Sequence, residues 1–119
     1  MAAGPDRLYV ADTGNDLVRV YDLGGNLLAS YGGKQAAVRF KAPSGAALDQ
    51  AGNILVADAG NRRVVKLSPS GILLAEFGGA ASPLKRPVAV ALVPGKVLVA
   101  DAKAGSLVAF TPDGTFLAS

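Results

Sequence analysis

The segment Val56-Ala57-Asp58-Ala59-Gly60-Asn61-Arg62-Arg63-Val64 is the strongest indication of the fold, because its opening triplet recurs along the chain at a nearly fixed interval. Val-Ala-Asp stands at 10–12, 56–58 and 99–101, so the aspartates are 46 and then 43 residues apart. A period of this length indicates a repeated supersecondary unit. Further markers that keep the same step are Gly25, Gly71 and Gly114, and also Pro43 and Pro87.

Each period contains four short runs of aliphatic and aromatic residues, separated by Gly, Pro, Asn, Asp or Ser, as is typical of strands and turns. In the second unit the runs are 44–48, 53–57, 64–67 and 72–77. Gly and Pro interrupt the chain too often for an amphipathic helix. The sequence therefore predicts an all-β fold, a β-propeller of four-stranded antiparallel blades, each with an inner, a second, a third and an outer strand.

The motif Asp-x-Gly-Asn, which follows Val-Ala in the first two units, resembles the turn of NHL-repeat β-propellers. The second copy, Asn61-Arg62-Arg63-Val64, is closest to that family's pattern of Asn, any residue, Arg, Val. In the first copy Leu17 takes the place of the Arg, and the third copy keeps Asp101 but has no Asn. The resemblance covers practically the whole chain and implies a ring of about six blades.

Three blades do not complete such a ring. We interpret 1–119 as one propeller segment with a partial first blade at 4–33, a second at 43–79 and a third at 87–119. Because little sequence precedes the first triplet, we expect the first blade to lack its inner strand. Open sheet faces and edges invite another chain. Two alternatives remain open: a homodimer that closes a six-bladed ring, or the rest of a longer polypeptide.

The turn motif itself is predicted to be structural, since Asp and Asn side chains bond nearby backbone and Gly supplies a positive φ. A calcium loop is the alternative, but only Asp16 offers a second carboxylate, so we predict no metal. The residues assigned to the motif are Asp12, Gly14, Asn15, Asp58, Gly60, Asn61 and Asp101.

Composition narrows the chemistry further. The 119 residues include 12 Lys and Arg against 9 Asp and Glu, with no His and no Cys. Thiol nucleophiles, disulfides and the commonest general base are therefore absent. The predicted inner strands carry small and apolar residues up to Asp49, so we predict no catalysis and no cofactor for these residues. No apolar run approaches the roughly 18 residues of a membrane span, and we expect a soluble chain without a signal peptide, in a compartment that the sequence does not identify.

The basic residues are not spread evenly. Outer-to-inner connections and second-to-third turns share one face of a blade, and this face has a basic sum, whereas the opposite face has an acidic one. The candidate binding residues on the basic face are Arg39, Lys41, Arg62, Arg63, Lys85, Arg86 and Lys103, with Lys34 beside them.

These observations predict a non-enzymatic interaction scaffold that presents its basic face to a protein or other anionic macromolecule. Two other hypotheses stay open. The chain could be a fragment of a larger six-bladed propeller enzyme, of the amidating lyase or lactonase type, whose active site lies elsewhere, or the cations could merely solvate loop tips. A nucleic acid is a less favoured partner, because Phe40 is the only aromatic residue in these loops for base stacking.

Overall fold

The computed structural model describes residues 2–3, 7–32, 39–78, 84–112 and 114–118, which form three four-stranded antiparallel sheets in chain order. The first sheet contains β1 (Ala2–Ala3), β2 (Arg7–Asp12), β3 (Leu17–Asp22) and β4 (Leu27–Gly32). The second contains β5 (Pro43–Leu48), β6 (Ile54–Asp58), β7 (Arg63–Leu67) and β8 (Leu73–Gly78). The third contains β9 (Pro87–Val93), β10 (Lys96–Asp101), β11 (Ser106–Phe110) and β12 (Phe116–Ala118).

In every sheet the strand order follows the chain, so each sheet is an up-and-down meander, and the all-β propeller-like fold is confirmed. Single 3₁₀ turns follow the second strand of the first two sheets, at Thr13–Asn15 and Ala59–Asn61. Within the described ranges no helix is long and apolar enough to cross a bilayer.

The first blade differs in detail from the expectation. A two-residue strand, β1, occupies the inner position and pairs Ala2 with Tyr9 and Ala3 with Leu8. The corresponding strands β5 and β9 are six and seven residues long. In the part of the first blade that the structure describes, the inner strand is therefore present as a two-residue strand.

The three blades share one register. Ala11 pairs with Val18, Ala57 with Val64, and Ala100 with Leu107. Since successive side chains in a strand point to opposite faces, equal register places equivalent residues on the same side of each blade. Each position can therefore be compared directly between blades.

The core lies between neighbouring blades in two clusters, and β6 contributes to both. Ile54 and Val56 face the first blade, whereas Leu55, between them in sequence, faces the third. All three side chains are buried, so β6 has no solvent-facing side. Phe77 and Phe110 meet edge to face across the second interface, with ring centroids 5.6 Å apart. These alternating contacts fix the middle blade between its neighbours.

Hydrogen bonds between blades add to this packing at the inner strands. The Thr13 hydroxyl donates to the carbonyl oxygen of Pro43 at 2.7 Å, and the Ser44 hydroxyl donates to that of Pro87 at 3.0 Å. Pro43 and Pro87 open β5 and β9, so each preceding blade holds the start of the next inner strand.

The two outward sides of the segment are unlike. On the side of the third blade that faces away from the second, here called the leading face, Leu107 is 62% exposed, although Val64 at the same register is fully buried. On the outward side of the first blade, the trailing face, Arg19 takes the register of the buried Val65. The leading face is therefore apolar where the trailing face carries a charge.

Candidate functional site

A buried carboxylate organises the turn of the second blade. Asp58, at the end of β6, is 0% exposed. It accepts hydrogen bonds from the backbone N–H of Lys41 at 2.7 Å, from Asn61 Nδ2 at 2.9 Å and from Arg63 Nε at 2.8 Å. Arg63 also donates to the carbonyl oxygen of Arg39 at 2.7 Å. Asp58 therefore joins the turn to the connection that leads into β5.

Gly60 serves this turn differently from the expectation. The positive φ angles lie two residues further along, at Asp16 (57°) and Arg62 (56°), and neither Gly14 nor Gly60 has one. Gly60 is required because a Cβ atom there would lie 2.5 Å from the Lys41 carbonyl oxygen, to which the Gly60 N–H donates. The prediction that these glycines supply a positive φ is therefore wrong, and close backbone approach explains Gly60.

In the first blade Leu17 stands where the motif has an arginine, and an arginine from another position binds the aspartate instead. Asp12 accepts hydrogen bonds from Asn15 Nδ2 at 2.9 Å and from Arg19 Nε at 2.7 Å. Arg19 lies two residues beyond Leu17 on β3, and so on the same side of the strand. The hydrogen bond from Asn15, followed by that from Arg19, lowers the pKa of Asp12. Sequence reasoning missed Arg19, although the two-residue spacing was a usable signal.

In the third blade, the donors to the aspartate among the described residues are all backbone N–H groups. Asp101 accepts hydrogen bonds from the N–H groups of Lys85 at 2.6 Å, Arg86 at 3.0 Å, Lys103 at 3.1 Å and Ala104 at 3.1 Å. Burial acts to raise the pKa of Asp101, but these hydrogen bonds, led by that from Lys85, outweigh it and leave the pKa below its usual value. The altered third turn thus retains the same link to the preceding connection.

These bonds separate the two signs of charge on the loop face, which we define as the connections 39–42 and 84–86 with the turns after β2, β6 and β10. Asp58 and Asp101 are buried beneath it. No ion pair among the described residues involves the exposed cations of this face. Those exposed cations are Arg39, Lys41, Arg62, Lys85, Arg86 and Lys103.

The other sequence candidates lie as follows. Arg63 is half-buried, and its Nη1 atom lies 3.3 Å from Glu76 Oε1. Together with the ion pair to Asp58, this contact leaves its guanidinium already engaged. Phe40 is only 4% exposed and belongs to the core between the first two blades. Lys34 lies outside the described residues.

The carboxylate that the calcium alternative would require also has a partner in the protein. Asp16 accepts the backbone N–H of Ala42 at 2.8 Å. Across the described residues no three acidic, His or Cys side chains come together in a group suited to a metal ion. Asp16 therefore binds the backbone of the connection that leads into β5.

The fold and this turn geometry define a segment of a β-propeller. A family model of the NHL repeat matches residues 40–67, which contain Asp58 and its partners, so the resemblance to NHL-repeat propellers is confirmed. No curated protein sequence matches the chain significantly.

Three solved structures share the fold. A catalytically inactive virginiamycin B lyase from Staphylococcus aureus, with quinupristin, has a TM-score of 0.79 at 15% identity over 98% of this chain and 39% of its own. A streptogramin B lyase has a TM-score of 0.79 at 14% identity, over 98% of this chain and 38% of its own. A protein of unknown function from Bacteroides caccae has a TM-score of 0.69 at 18% identity, over 98% of this chain and 42% of its own. This chain thus spans about two fifths of the length of each of these structures.

The lowered pKa of Asp101 predicts a contribution to acid stability. A carboxyl group whose pKa is lower in the folded state than the roughly 3.9 of the unfolded chain stabilises the fold above about pH 4, and this is lost as the pH falls through the folded value. We expect Asp101→Asn to cost about 2 kcal/mol at pH 7, because its amide cannot accept all four N–H groups. We also expect the free energy of unfolding of the variant to fall less than that of the unmodified protein between about pH 5 and pH 2. Urea unfolding followed over that range measures both effects, and parallel curves for the two proteins would contradict the assignment.

Proposed function

We propose that this chain is a non-enzymatic interaction scaffold, whose loop face binds an acidic protein or another anionic macromolecule. The observation that carries the proposal is the separation of charge on that face. Its cations are exposed, while Asp58 and Asp101 are buried under backbone donors. An anion that approaches the loop face therefore meets positive charge whose counter-charges are already used inside the protein.

The turns also support preorganised binding. Lys41, Lys85, Arg86 and Lys103 each donate a backbone N–H to a buried carboxylate, so the backbone that carries each ammonium or guanidinium is fixed. A partner then has to order only the side chains, which lowers the entropic cost of association.

Among the described residues, the opposite side of the blades presents fewer exposed cations than the loop face. Its acidic residues Asp22 and Asp49 accept backbone N–H groups within their own turns, at 2.8 to 2.9 Å. Lys96 is exposed there, but Arg7 is half-buried. These features favour the loop face as the site of the anionic partner.

Charge reversal tests the loop face. We expect the protein to be retained on heparin at about 50 mM salt, and the combined variant Lys41→Glu, Lys85→Glu, Arg86→Glu to lose retention, because screening is weak at that ionic strength. The matched single variants are Lys85→Glu on the loop face and Lys96→Glu on the opposite side. The first should elute at clearly lower salt than the second. Flow-through of the unmodified protein, or equal shifts for the two single variants, would overturn the proposal.

A second candidate function has its own support in the likeness to streptogramin B lyases, which are larger propeller proteins. In this alternative the chain is part of a larger propeller enzyme, with its active site outside these residues. Both alternatives require another blade on the leading face, either from the same polypeptide or from a second copy that closes a ring as a homodimer. The exposed Leu107, at the register of the buried Val64, supports such packing.

A leucine substitution tests whether the leading face packs on a second copy. We expect light scattering at about 100 μM to show a mass near twice the 11.9 kDa of the chain, and Leu107→Glu to return it to a monomer, because burial of an unpaired carboxylate is costly. Leu23→Glu, at a site that is 67% exposed on the first blade, is the matched control and should leave the mass unchanged. A monomeric unmodified chain would exclude the homodimer and leave a continuing polypeptide as the source of the next blade.

A further inference from the structure

A cavity of about 730 Å³ lies between the second and third blades, on the side opposite the loop face. This volume falls within the range of about 300–1,000 Å³ that is usual for small-molecule sites. Apolar side chains form much of its wall: Leu48, Leu55, Leu92, Val97 and Pro112. Such a lining suits a ligand with a hydrocarbon body.

One residue makes this interface unlike the interface between the first two blades. Lys66 pairs with Leu55 in the register in which Val20 pairs with Tyr9. Val20 is 1% exposed and fills the first interface, whereas the Lys66 side chain, 19% exposed, lines the cavity of the second. A lysine at a largely buried position is costly unless an anion or acceptor pairs with it.

The nearest carboxylate pairs only weakly with this lysine. Lys66 Nζ lies 3.7 Å from Asp49 Oδ2, which is too long for a hydrogen bond. Asp49 already accepts the N–H groups of Ala51 and Asn53 and the Nδ2 group of Asn53, at 2.8 to 2.9 Å. Burial acts to raise the pKa of Asp49, and the hydrogen bonds from Asn53 and Ala51, together with the charge of Lys66, lower it by more. Asp49 is thus held in its own turn, and no hydrogen bond from Lys66 Nζ to a described residue occurs.

We propose that this cavity binds a small amphipathic anion with an aliphatic body and a carboxylate head. The carboxylate pairs with Lys66 Nζ, and the chain lies against Leu55, Leu92 and Val97. Lys96, which also lines the cavity, adds a second cation, so the described lining residues carry one more positive charge than Asp49 neutralises. This site is separate from the loop face and does not depend on the function proposed for that face.

Titration calorimetry with octanoate and with 1-octanol tests the site, because the two probes share a hydrocarbon chain and differ in charge. We expect octanoate to bind about tenfold more tightly than 1-octanol, as a charge-assisted hydrogen bond predicts. Lys66→Met keeps an unbranched side chain, one atom shorter, and removes the ammonium, so it should abolish that preference and leave the affinity for 1-octanol unchanged. Lys85→Met, on the loop face, is the matched control and should preserve the preference.

Several results would overturn the proposal. They are a failure of octanoate to bind at about 10 mM, equal affinities for the two probes, and an equal loss of the preference for octanoate in the two variants. A larger loss in Lys85→Met would assign the carboxylate to the loop face instead. Backbone NMR shifts confined to Leu55, Leu92 and Val97 on addition of octanoate are the expected independent readout. Retention on heparin has no bearing on these outcomes, so the two proposals fail separately.

Discussion

The hydrogen bonds between the aspartate at the end of each second strand and the loop around it are the constraint on which the rest of the structure depends. Asp58 and Asp101 are buried and accept backbone N–H groups from the connection that leads into their own blade. A buried carboxylate without such donors would be strongly unfavourable, so the connection and the turn must fold together. These two aspartates thereby set the places where β5 and β9 begin.

The same constraint accounts for the surface chemistry. Asp58 and Asp101 point inward, so the exposed lysines and arginines of the same loops form no ion pair within the described part of the chain. Repetition of the blade then brings these cations to one face. The trailing and leading faces differ from the equivalent faces inside the segment. Arg19 on the trailing face pairs with Asp12, and Leu107 on the leading face stays exposed. These differences make the two outward sides of the segment unlike, with the apolar one on the third blade.

The sequence alone predicted much of the fold, because the period of Val-Ala-Asp and the two-residue alternation of strands are local signals. It did not predict that Arg19 replaces the arginine absent at Leu17, since the partner of a side chain depends on register. It assigned Gly60 to a positive φ, whereas the constraint is contact with Lys41 from a distant connection. The cavity at Lys66 was also missed, because it exists only where two blades meet.

Native-state hydrogen exchange tests the central claim most directly, since it reports the hydrogen bond of each backbone amide. If Asp58 and Asp101 hold the connections, the amides of Lys41 and Lys85 should exchange as slowly as that of Val56 in the buried strand β6. Asp58→Asn should then speed the exchange of Lys41 much more than that of Lys85. Exchange of Lys41 and Lys85 at the rate of exposed loops in the unmodified protein would contradict the account.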